Sequence, residues 1–183
     1  MLGNILEITS LQNSIIKDLV KTLEGKNKNK TDVFICEGEF FLKSAFENNW
    51  EVQTLIINSS ISFNSEITKI IDDCILKNVR IIAVNNKILT KLSNNKNPQN
   101  LIFTAKKKTF LYSELKNKNV YLAVDGVTDP GNLGTILRTI NAFGVDVCIL
   151  VGNTVDQYKK DVVRASMGSL FNLKIIKTNF GDF

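Results

Sequence analysis

Residues Val124 to Gly144 read VDGVTDPGNLGTILRTINAFG, and this stretch decides the fold. An apolar run stops at Asp125-Gly126, a turn carrying Pro130, Gly131 and Gly134 follows, and a helical pattern then runs from about Gly131 to Phe143. Pro130 stands at or near the first helical position, where a missing N–H is harmless. The reading is strand, tight turn, helix. A glycine-rich turn of this kind suggests a phosphate cradle. However, Gly126, Gly131 and Gly134 do not form G-x-G-x-x-G, and no Gly-Lys-Ser/Thr follows. The glycines alone read rather as a means of entering a helix tightly. Asn132 and Arg138 add an amide and a guanidinium to the opening helix, about 600° of rotation apart, so the pair is placed to flank one ligand.

Outward from this stretch, the chain reads as alternating strands and helices. Downstream come the strand DVCILVG, a helical or looped KKDVVRASMGSLF and the strand LKIIKT. Upstream, Leu11, Ile15, Ile16, Leu19, Val20 and Leu23 recur at helical spacing between Ser10 and Gly25. The basic KNKNK (Lys26 to Lys30) leads into the strand VFIC and the pair Glu37-Gly38. A helix over 39–49, the strand VQTLIIN, a helix over 65–77 with Ile67, Ile70, Ile71, Cys74 and Ile75 on one face, and the strand VRIIAV come next. A weak helix over 86–92, the turn-prone NNKNPQN and the strand LIFTA end a first domain near Ala105. This alternation predicts a mainly parallel sheet in that domain. The expected organisation is residues 1–106, a connector over 107–119, and a second α/β unit over 120–183.

Of 183 residues, 44% are apolar, enough for real cores, and 23 Lys and Arg against 18 Asp and Glu give a net charge of +5. That balance favours a polyanionic partner such as nucleic acid. No apolar run approaches the ~20 residues that span a bilayer, and the N-terminus lacks a signal-peptide pattern, so a cytoplasmic protein without a membrane partner is expected. Cys36, Cys74 and Cys148 lie far apart in apolar segments and read as buried thiols. With no histidine in the chain, a Ser-His-Asp triad and most zinc sites are excluded within one chain, and no metal is expected.

DGVTDPGNLGTILRTINAFGVD followed by VVRASMGSLF resembles the SpoU (TrmH-like) family of SPOUT RNA methyltransferases, which methylate a ribose 2'-hydroxyl of rRNA or tRNA from S-adenosylmethionine. Asp129, Pro130, Gly131, Asn132, Gly134, Arg138, Phe143 and Gly144 stand where that family's first motif has them. Arg164, Ala165, Ser166, Met167 and Gly168 match its second. The first domain is similar to the ribosomal-protein-like α/β/α substrate-binding domain of the same family, in KNKNK, VFIC and Glu37-Gly38. The resemblance implies a trefoil-knot catalytic domain, a homodimer sharing its active sites, S-adenosylmethionine as cofactor, and RNA as partner, rRNA before tRNA.

It also implies roles. Asn132 and Arg138 would be catalytic, Asn132 holding the first-motif loop and the substrate. Arg138, which stays protonated, would stabilise the developing alkoxide. Lys26, Lys28, Lys30 and Lys106, Lys107, Lys108 would contact RNA phosphates. The family continues past the strand KIIKT into a third motif rich in Ser, Leu and Asn, which holds the cofactor. The resemblance therefore describes a C-terminally truncated, incomplete knot domain with an exposed sheet edge and no cofactor-binding residues assigned. Asp161 stands where a lysine is common, and Asn100 where a glycine is usual. A non-catalytic RNA-binding remnant of the family, or an unrelated nucleotide-binding α/β protein, are the alternative readings.

Overall fold

The computed structural model describes residues 5–23, 32–93, 97–111 and 120–182. The chain divides into two compact units at Lys106/Lys107. The first contains β1 (Ile5–Ile8), α1 (Ser14–Leu23), β2 (Val33–Glu37), α2 (Glu39–Glu47), β3 (Val52–Asn58), α3 (Ser65–Leu76), β4 (Arg80–Val84), α4 (Asn86–Ser93) and β5 (Leu101–Lys106). Its five strands lie in the order β1-β4-β3-β5-β2.

The β1–β4 and β3–β4 ladders are parallel, whereas β5 runs antiparallel to both β3 and β2. The expected mainly parallel sheet is parallel through β1, β4 and β3, β2 shares their direction, and β5 alone is reversed, so the sheet is mixed. Leu101 starts β5 opposite Ile57, at the carboxyl end of β3, and the strand runs back. Strand β1 lies in the N-terminal segment where no element was expected. Its four residues are too short for periodicity to speak.

Ile8, Ile16, Ile35, Ile56, Ile82 and Ile102 belong to one buried cluster joining α1 and α4 to a face of the sheet. Burying each such side chain contributes roughly 1.5–3 kcal/mol. Helix α1 starts at Ser14 rather than Ser10 because Asn13 Oδ1 accepts the Ile15 N–H at 2.9 Å and fixes a turn there. Asn64 caps α3 in the same way, accepting from Ile67 N at 2.9 Å. Gly25 and Lys26, Lys28 and Lys30 lie outside the described residues.

The second unit contains β6 (Tyr121–Asp125), α5 (Pro130–Ala142), β7 (Val147–Val151), α6 (Lys160–Ala165) and β8 (Lys174–Thr178). The sheet is parallel, in the order β6-β7-β8. All of β7 is buried, as befits the central strand of a crossover-covered parallel sheet. Phe110 packs on Val147, Ile149, Val151 and Ile176, so the start of the expected connector is part of this unit. On β6, Tyr121 and Leu122 remain 41% and 36% exposed. The knot implied by the resemblance is not shown by these three strands. Among the described residues, no helix is long and apolar enough to cross a membrane.

Candidate active site

The loop from β6 into α5 is held by its own sequence. Asp129 caps the helix, its Oδ1 accepting the Asn132 N–H at 2.7 Å, and Pro130 occupies the first helical residue. Gly126 has φ +64, a conformation that favours glycine. On the other side, the Val155 N–H donates to Val127 O at 2.9 Å. The Thr154 hydroxyl lies 2.7 Å from Val151 O and 3.1 Å from Val124 O. These bonds tie together the two loops at the carboxyl ends of β6 and β7, where ligands of open parallel sheets bind.

A cleft of about 470 Å³ opens there, lined by Gly126, Thr128, Asp129, Asn132 and Thr135 among others. That volume lies within the range of small-molecule sites. Asn132 is exposed at its wall. Arg138 is exposed as well, and no ion pair holds it among the described residues. Six residues along a helix amount to about 9 Å of rise and a face turned by about 120°. The two side chains therefore leave α5 in different directions, and Asn132, not Arg138, lines this cleft.

What joins the two sequence motifs is Gly134. A Cβ there would stand 2.3 Å from Ala165 Cβ and 2.9 Å from both Ala165 C and Ser166 N. Helix α5 thus crosses the end of α6 at backbone contact, which only glycine permits. One helical turn beyond Arg138, Asn141 Nδ2 donates to Ser169 Oγ at 3.3 Å. Gly134, Arg138 and Asn141 fall on one stripe of α5, so Arg138 lies on the side that packs toward residues 165–169.

In the second motif, Ser166 is fully buried and its hydroxyl donates to Val163 O at 2.7 Å. Arg164 is exposed and pairs with Asp161 at 3.2 Å. Met167 and Gly168 both adopt positive φ, +46 and +83, and turn the chain into a short 3-10 turn over Ser169–Phe171. The motif residues Asp129, Pro130, Gly131, Gly134, Ser166 and Gly168 are therefore builders of the turn and the crossing. A Cβ on Gly131 would come 3.2 Å from the Asp129 cap.

The basic run divides between the units. Lys106 ends β5, its Nζ 3.9 Å from Glu51 Oε2. Lys107 Nζ lies 5.7 Å from the centre of the Tyr158 ring. Lys108 donates its N–H to Tyr158 Oη at 3.0 Å, and its carbonyl accepts the Tyr158 hydroxyl at 2.8 Å. Burial lowers the pKa of the Lys108 ammonium. Tyr158 and Thr154, neither of them expected from the sequence, are thus fasteners of this unit. Nearby in sequence, Gln157 is 7% exposed, and its Oε1 is buried with no hydrogen-bond partner among the described residues.

Comparison with known proteins agrees with this geometry. Residues 119–183 match the SpoU rRNA Methylase family, and residues 13–102 match the MRM3-like substrate binding domain. The 23S rRNA (guanosine(2553)-2'-O)-methyltransferase RlmP of Bacillus subtilis is 26% identical over 97% of this chain, which spans 67% of that protein. An rRNA methyltransferase from Sinorhizobium meliloti is 31% identical with a TM-score of 0.89, over 99% of this chain and 68% of the other. Its AdoMet-bound form superposes with a TM-score of 0.88 at 31% identity, over 98% of this chain and 67% of the other. The chain thus spans about two thirds of the length of these relatives. With both halves matched in order and the two motifs locked together at Gly134, the chain belongs to the SpoU rRNA methylase family.

Proposed function

We propose that this protein is an S-adenosylmethionine-dependent RNA 2'-O-ribose methyltransferase, with rRNA as its substrate. The first unit binds RNA and the second carries the chemistry. The observation that carries this reading is the capped α5 N-terminus, which sets Asn132 on a cleft at the carboxyl ends of β6 and β7. The cleft offers an amide, hydroxyls and the apolar Ile136. Those groups fit a ribose beside the methyl-donating end of the cofactor, and no residues for its adenine are assigned.

When bound, S-adenosylmethionine supplies an electrophilic methyl group. Asn132 orients the ribose, and the Arg138 guanidinium lowers the energy of the 2'-oxygen as its proton passes to solvent water and the oxygen takes the methyl group. Because Asn132 and Arg138 leave α5 in different directions, a homodimer is part of the proposal, with one copy's Arg138 serving beside the other copy's cleft. The exposed Met167 (53%), two residues past Ala165 at the Gly134 crossing, supports an apolar contact on that side of α5, and Phe143 (83%) adds apolar surface at the end of the helix. Lys107 and Lys108 add positive charge for RNA phosphates. A cytoplasmic location is part of the same proposal.

Calorimetric titration with S-adenosylmethionine, beside transfer of labelled methyl to ribosomal RNA, tests the reading. We expect Arg138→Lys to bind the cofactor as the wild type does and to lose transfer at least a hundredfold, about 2.7 kcal/mol of barrier. Undiminished transfer by Arg138→Lys would remove Arg138 from the chemistry. RNA binding without cofactor binding would favour a non-catalytic RNA-binding role.

A further inference from the structure

At the carboxyl end of the first sheet, three asparagines from three elements meet in a network that fixes the orientation of every carboxamide. Asn58 ends β3 and is 3% exposed. Its Oδ1 accepts the Ser60 N–H at 2.9 Å. A backbone N–H only donates, so the other side of this amide is its NH2 group. That group donates to Asn86 Oδ1 at 2.7 Å and to Asn100 Oδ1 at 3.1 Å. The oxygens of Asn86 and Asn100 are thereby turned inward, and their own NH2 groups face away from Asn58. Both residues are exposed, and neither NH2 group has a partner among the described residues.

The frame around them is firm. Asn58 N donates to Asn100 O, and Ser59 N to Val84 O, both at 2.9 Å. Asn86 opens α4, behind Asn85, whose Oδ1 accepts Ile88 N at 3.0 Å. The partial positive charge of that helix end and the exposed Lys87 add positive charge beside Asn86. Glu37, opposite Ile102 in the β2–β5 ladder, is engaged through its Oε1, which accepts from Ser93 Oγ at 2.6 Å and from Gln99 N at 2.9 Å.

Holding Asn58 in place needs only acceptors at positions 86 and 100. Carboxamides there add outward donors that no group among the described residues uses. With their oxygens turned inward, these side chains present NH2 donors outward and suit a ligand that accepts hydrogen bonds and that welcomes positive charge. The edge of a base that mixes donors and acceptors would leave its donors unmet. We infer that Asn86 and Asn100, oriented by Asn58, are a contact for a phosphodiester of the RNA backbone. The inference rests on the reading of this unit as an RNA-binding one, and it places that contact at the carboxyl end of the sheet.

Asn86→Asp with Asn100→Asp keeps both oxygens for Asn58 and replaces both donors with charged oxygen. Binding of a fluorescein-labelled 24-nucleotide RNA hairpin, and of an abasic oligoribonucleotide of the same length, is measured by anisotropy on the full chain. Gln53→Glu, an exposed position near the opposite end of β3, controls for added negative charge. We expect the double variant to bind both probes at least tenfold more weakly, with Gln53→Glu changing each less than twofold. In the wild type, the Asn86 and Asn100 side-chain NH2 resonances should shift on titration with either probe, a readout that needs no variant to fold. Wild-type binding with the double variant no weaker than Gln53→Glu, or with both resonances unmoved, overturns this inference alone. Weakening confined to the hairpin assigns the donors to base carbonyls and overturns the phosphodiester contact. No binding of either probe by the wild type overturns the RNA-binding reading, and this inference with it.

Discussion

Replacing Gly134 by alanine adds one methyl group where α5 crosses α6. The new Cβ would lie 2.3 Å from Ala165 Cβ and 2.9 Å from Ala165 C and Ser166 N, against an optimal carbon separation of about 3.5–4.0 Å. More than about 1 Å of separation must be found. Two of the three contacts are backbone, so no rotamer change relieves them. Moving α6 carries Val162 and Val163 with it, both buried in the core. Overpacking of this kind costs about 1–3 kcal/mol and occasionally more, whereas glycine to alanine within a helix returns about 1 kcal/mol. With the clash at the upper end, the net loss is about 2 kcal/mol, or about 10 °C in the melting temperature of a domain of this size. Thermal unfolding followed by circular dichroism reads it. Adding Ala165→Gly removes the 2.3 Å contact and leaves the two at 2.9 Å, so recovery should be partial. A Gly134→Ala protein as stable as the wild type would refute the backbone crossing.

Three further outcomes follow from the same structure. Asp129→Ala removes the acceptor of the Asn132 N–H and should cost about 1 kcal/mol in urea unfolding, while loosening the loop that bears Asn132. Gln157→Leu removes a buried oxygen without a partner and should raise stability by about 1 kcal/mol, checked by the shift in the urea midpoint. Burial pushes the Cys74 and Cys148 thiols up to about 12 from the usual 9.0. The unfolded chain ionises first, so the stability held below pH 9.0 is lost as the pH rises toward 12. Urea unfolding at stepped pH measures that decline, and Cys148→Ala should flatten part of it.

The sequence carried the local signals well. The apolar face of α3, with Ile67, Ile70, Ile71 and Cys74 buried, follows the helical period that located it. Pro130 and Asp129 mark the start of α5 by chemistry that acts within three residues. Contacts between distant segments were less legible. Gly134 reads as a residue that permits a turn, yet its need for smallness comes from Ala165 and Ser166, about thirty positions away. The reversal of β5 is a matter of its pairing with β3 and β2 across the sheet, which no local residue pattern states. Asn58, Asn86 and Asn100 lie in an Asn-rich chain, where composition hides a network made by the sheet. Asn132 and Arg138 were legible as a pair, but the helical rotation that separates their directions shows only when the cleft is placed.

The most direct test is the position of the methyl group. Ribosomal RNA is incubated with the protein and S-adenosylmethionine labelled in its methyl, then hydrolysed in alkali. A methylated 2'-oxygen cannot attack its own phosphodiester, so that linkage survives. Label in alkali-resistant dinucleotides, lost with Arg138→Lys, is the predicted result. Label in mononucleotides, or no transfer by the wild-type protein, would contradict ribose 2'-O-methylation.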